Sequence, residues 1–116
     1  MAVTDLIIVC VCIAADVVTG LAAAWLTHSF QSSKMREGMG HKLGELFAMS
    51  LMYGLQWGLP FLGVTVSINF VRYLTFYIVI MELTSIAENI IAMDPEMSGP
   101  FSKIMDTLRE VLNKHE

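Results

Sequence analysis

The run from Leu6 to Leu26, LIIVCVCIAADVVTGLAAAWL, constrains this chain more than any other stretch, because its only polar side chains are Asp16 and Thr19. A bilayer core of ~30 Å takes about 20 helical residues, so the run predicts a transmembrane helix. Asp16 lies about ten residues in, or ~15 Å from the start at ~1.5 Å per residue, which is near the midplane. An ionisable group at that depth is costly and faces another helix or water. The opening MAVTD has no Lys or Arg, and the apolar run is longer than the ~7–15 residues of a signal-peptide core, so the segment is expected to be retained. Cleavage after the small residues Ala22–Ala24 is the competing reading.

Composition points the same way. Of 116 residues, 55% are hydrophobic and 16% charged, and the mean hydropathy is +0.62. A small soluble domain needs more charge than this to cover itself. The chain is expected to be one membrane domain over 1–116. The net charge of −4 says less than its placement, and no basic tract suits nucleic acid. Cys10 and Cys12 point about 200° apart on a helix, so they neither bridge each other nor share a metal and read as apolar filler.

After Leu26 the segment THSFQSSKMREGMGHK is polar and basic, and its second half is compatible with a helix running into the next span. A second span is predicted at about 43–66, with Glu45 near its start, Gln56 inside it and an outer end loosened by Gly58, Pro60 and Gly63. A few residues around Ser67–Asn69 lead to a third span at about 70–93, which carries Arg72 at its start and Glu82, Glu88 and Asn89 late. A single re-entrant hairpin is the alternative for these two segments. In the tail, 94–116, Pro95, Gly99 and Pro100 stop one helix and start another. Phe101, Ile104, Met105, Leu108, Val111 and Leu112 then recur at helical spacing, predicting a short amphipathic helix that lies on the membrane surface or packs on a partner helix. The expected fold is therefore an all-α membrane protein of three transmembrane helices plus this tail helix.

Six of the seven Lys and Arg residues fall in the first loop and the tail, so the positive-inside rule places the N-terminus outside and the C-terminus in the cytosol.

Within the apolar spans, Asp16, Thr19, Gly20 and Ala23 form a small, weakly polar stripe on the first helix, and Thr75, Glu82 and Asn89 line one face of the third. Ser85 lies beside that face, and Glu88 sits further round, near the interface. Spans one and three run in the same direction, which puts Asp16 and Glu82 at nearly the same depth. Such a pair is a trigger, a pore lining or simply hydrogen-bonded packing. Gly54 and Gly58 form a G-x-x-x-G that permits close helix contact, which suggests self-assembly. No nucleophile–base pair, phosphate-cradling loop or metal set emerges. His28, His41 and His115 read as solvated residues of mobile segments, so no enzyme, cofactor or metal is expected.

Several of these elements together resemble the phage lysis and toxin-secretion holins. They are Asp16-Val17-Val18-Thr19-Gly20, Ser32-Ser33-Lys34 leading to Gly38 and Lys42-Leu43-Gly44, the stretch Glu82-Leu83-Thr84-Ser85-Ile86-Ala87-Glu88-Asn89, and Pro100-Phe101 opening the tail helix. The resemblance covers nearly the whole chain, and its specific parts are D-x-x-T-G and E-L-x-S-I-x-E-N. It implies a small homo-oligomeric protein of the bacterial cytoplasmic membrane whose lesions release an endolysin or a toxin, without necessary direct contact with either. Its physical partners are then the lipid bilayer and other copies of itself. Two other readings compete: a small ion- or proton-coupled transporter using Asp16 and Glu82, and a membrane scaffold that recruits a partner through the tail helix.

Overall fold

In a computed structural model the described residues are 3–114, with the backbone alone described at Leu112. Leu112, as a member of the tail stripe, and His115 therefore lie outside the described side chains. Four α-helices follow in order: α1 (Val3–Leu26), α2 (Ser32–Gly58), α3 (Phe70–Met93) and α4 (Ser98–Lys114). Short 3-10 helices at Leu59–Leu62 and Pro95–Met97 precede α3 and α4.

The helix ends follow from local chemistry. α1 closes through Ser29 N–H donating to Ala24 O, while His28 adopts a left-handed backbone (φ 54°). α2 stops before Pro60, which has no N–H to continue the ladder. The following turn ends on Gly63 at φ 81°, a conformation that glycine adopts without a Cβ penalty. Asn69 caps α3 by accepting from Arg72 N–H at 3.0 Å, and Asp94 caps the next turn by accepting from Glu96 N–H at 3.2 Å.

α2 differs from its expected bounds at both ends. It begins at Ser32, so the whole basic segment from Lys34 to Lys42 is helical. It ends at Gly58 rather than continuing to Val66. By length and composition two helices, α1 and α3, are fit to cross a membrane; α2 carries Lys42, Glu45 and Gln56 within its length and is less apolar.

α3 is the central element. α1 runs parallel to it, so that Asp5 meets Arg72 at one end and Asp16 meets Asn89 towards the other. α2 runs antiparallel, with Gln56 beside Phe70, Met49 beside Thr75 and Lys42 beside Glu82. Between the ends lies a small apolar layer of Val9, Met49, Val71 and Ile78, with Ile13, Met52, Tyr53 and Leu74 packed on it.

Polarity is inverted relative to a water-soluble bundle. Asp5, Glu45, Thr75 and Glu82 are buried, while Trp25, Phe47, Trp57, Phe61 and Leu62 are 69% to 78% exposed. Burying a large apolar side chain is worth ~1.5–3 kcal/mol, so exposing this many suits lipid or other copies of the chain rather than water. This separates α1 and α3 from the core helices of a soluble protein, which would be mostly buried.

Candidate functional site

Lys42 organises the polar centre. Helix α2 carries its stem inward, and Nζ donates to an Asp16 carboxylate oxygen and to both oxygens of Glu82, at 3.2 and 3.0 Å. The three side chains are 12%, 12% and 2% exposed. One ammonium thus ties together all three long helices. Two carboxylates that would repel each other at this depth instead share a cation.

Further hydrogen bonds from α3 fix Asp16. Asn89 Nδ2 donates to Asp16 Oδ1 at 2.9 Å and to Thr19 Oγ1 at 3.0 Å, and approaches the Asp16 carbonyl at 3.3 Å. Thr19 Oγ1 in turn donates to Ala15 O at 2.8 Å. Gly20 lies against the same amide, where a Cβ would meet Asn89 Nδ2 at 3.5 Å. The D-x-x-T-G element and the end of E-L-x-S-I-x-E-N are therefore two halves of one α1–α3 joint.

Beyond Lys42, Glu45 is buried against α3. His41 Nε2 lies 3.6 Å from Glu45 Oε2, on the half-exposed rim. At the opposite end of the bundle, Arg72 Nε and Nη2 donate to the two Asp5 oxygens at 2.9 and 3.1 Å, with Thr75 Oγ1 3.3 Å from Oδ2. This bidentate geometry is the stronger form of a carboxylate pair.

Of the residues singled out from sequence, Asp16, Thr19, Gly20, Glu82 and Asn89 converge. Ser85 is half-buried beside them, and Glu88 is exposed and stands apart. Glu88 lines a groove between α3 and α4 with Thr84, Ala87, Ile91, Phe101 and Met105. The tail helix thus packs on α3 of its own chain. A Cβ added at Gly54 or Gly58 would meet no other described residue within 4 Å beyond its own helix turn, and both glycines line an open apolar groove with Trp57, Phe61 and Leu62.

Sequence reasoning missed Lys42, Glu45, Asp5 and Arg72 as members of the site. Lys42 counted as a loop cation and as part of the Lys42-Leu43-Gly44 element, yet a helix begun at Ser32 puts it on the same face as Glu45. The parallel course of α1 and α3 was the signal for pairing Asp5 with Arg72.

The sequence pattern of the bacteriophage holin family matches residues 2–110. The chain belongs to that family. No curated protein and no solved structure matches it. Holin-family membership makes the chain a non-catalytic, lesion-forming membrane protein, in keeping with the expectation of no enzyme and with a lysis-timing role. Nothing specific favours ion or proton transport. The match also runs through every residue of the Lys42 cluster, so these groups belong to the holin domain and not to an appended segment.

Proposed function

We propose that the chain accumulates in the bacterial cytoplasmic membrane as a three-span protomer, N-terminus outside and C-terminus in the cytosol, then assembles with other copies into lesions that release an endolysin or a secreted toxin. The observation that carries this reading is the inverted polarity of a holin-family chain: ionic groups meet inside the bundle while large apolar side chains face outward. In this reading α2 is the second span. It can cross because Lys42 is neutralised by Asp16 and Glu82, and because Gln56 satisfies backbone groups at the α2–α3 bend. Lys34 and Arg36 with Lys103, Arg109 and Lys114 support the orientation even without Lys42.

Induced expression in bacteria, with and without a cytosolic endolysin lacking its own export signal, tests the proposal. Abrupt loss of turbidity only with both proteins is expected; unaltered growth in both cultures overturns it. Topology is read separately in a Cys10→Ser, Cys12→Ala background. Ser33→Cys and Asn113→Cys should react with an impermeant reagent only after the membrane is opened.

A further inference from the structure

Glu45 is 7% exposed, and neither of its carboxylate oxygens has a hydrogen-bond partner among the described residues. A buried carboxylate left in that state is costly, so its position calls for a positive partner. Lys42 does not supply one: its bonds go to Asp16 and Glu82. Three ionised carboxylates around a single ammonium leave a surplus of two negative charges.

The groups that face Glu45 are His41, one turn earlier on α2, and Glu82, across on α3. His41 and Glu45 stand at i and i+4, so they project from the same side of the helix. One ligand atom from each of His41, Glu45 and Glu82 lies within 4.8 Å of the others.

We propose that His41, Glu45 and Glu82 bind a divalent cation of the zinc type. An imidazole among the ligands disfavours Mg²⁺ and Ca²⁺, which take oxygen sets, and suits Zn²⁺ or Co²⁺. Zn–N and Zn–O bonds of ~2.0–2.2 Å in a tetrahedron place ligand atoms about 3.3 Å apart. The His41–Glu45 separation of 3.6 Å is already near that value, and a rotation of the Glu82 side chain brings in the third ligand. Glu82 can serve Lys42 and a cation together, because a carboxylate has about four lone-pair sites. A cation held there carries the missing two charges and fastens α2 to α3 beside the Lys42 bridge.

The test uses the full chain, purified without a histidine tag in detergent micelles, in a His28→Gln, His115→Gln background that removes the other imidazoles. Co²⁺ serves as the spectroscopic probe and Zn²⁺ as competitor. One Co²⁺ per chain is expected, with visible d–d absorption that Zn²⁺ displaces, and Zn²⁺ should raise the melting temperature. His41→Gln, at an exposed position and checked for unchanged helicity, should weaken binding by no less than the roughly 10–100-fold that outer-shell partners cost. Glu45→Gln should do the same. Equal binding by the parent and His41→Gln overturns the proposal. So does a parent that binds neither metal while its melting temperature responds to pH alone, because a proton shared by Glu45 and Glu82 then fills the role.

Discussion

Lys42 Nζ lies 3.0 Å from Glu82 Oε2, joining the first half of α2 to the middle of α3 across a position where Glu82 is 2% exposed. Asp16 of α1 completes the bridge from the other side. The pair explains how a lysine sits inside the helical bundle: its charge is met by carboxylates of the two neighbouring helices.

Removing that ammonium strands two buried carboxylates. Lys42→Met is expected to destabilise the protomer by about 3–5 kcal/mol, as breaking a buried pair does, and to alter lysis timing. Adding Asp16→Asn and Glu82→Gln to Lys42→Met should restore much of the stability. Thermal unfolding in detergent checks both, and a Lys42→Met chain as stable as the parent would refute the bridge.

The reverse neutralisation addresses the trigger. Asp16→Asn with Glu82→Gln keeps hydrogen-bonding shape but leaves Lys42 as an unpaired cation, subject to ~2.3 kcal/mol per charge per 100 mV of membrane potential. Lysis should shift in time and respond differently to an added uncoupler. A parental schedule with a parental uncoupler response would reduce the two carboxylates to packing groups.

The small-residue positions separate into two kinds. Gly20→Ala should be tolerated, since its Cβ meets Asn89 Nδ2 at an ordinary 3.5 Å, whereas Gly20→Leu should pry α1 from α3 and lower the protomer's melting temperature. Gly54→Leu, facing open space, should leave that temperature unchanged and act only on association, as seen by crosslinking. Equal effects of the two leucine variants on the melting temperature would contradict this division.

The Asp5–Arg72 clamp is expected to contribute less than the Lys42 bridge, because the Arg72 side chain is 51% exposed and solvent screens it. A double-mutant cycle with Asp5→Asn and Arg72→Gln should give a coupling smaller than the same cycle gives across Lys42 and Glu82. A coupling of zero would mean the bidentate geometry adds nothing.

Gln56 holds the α2–α3 bend through both ends of its amide: Nε2 donates to Ile68 O at 3.1 Å and Oε1 accepts from Phe70 N–H. Gln56→Leu leaves both backbone groups unpaired and should cost about 1–3 kcal/mol, with faster amide exchange at Phe70. Unchanged exchange at Phe70 would show that this contact is not made.

What the sequence determined by itself is what depends on near neighbours along the chain. Twenty apolar residues around Asp16 make α1, and Asn69 and Asp94 bracket α3 and the turn after it. Pro60 ends the second helix and Gly63 the turn after it, and the spacing of Phe101, Met105 and Leu108 makes α4. The shared depth of Asp16 and Glu82 was legible, because α1 and α3 run parallel, whereas the pairing of Asp16 with Asn89 was not. The tertiary structure alone decided the partner of those acids. Lys42 and Glu45 reach them only because α2 begins at Ser32 and slides antiparallel to α3 until Met49 packs between Val9 and Thr75. That axial register is set by how side chains interlock across helices, a relation without local periodicity in the sequence. The same register leaves Glu45 buried with no hydrogen-bond partner among the described residues, a feature that hydropathy and charge counts do not reveal.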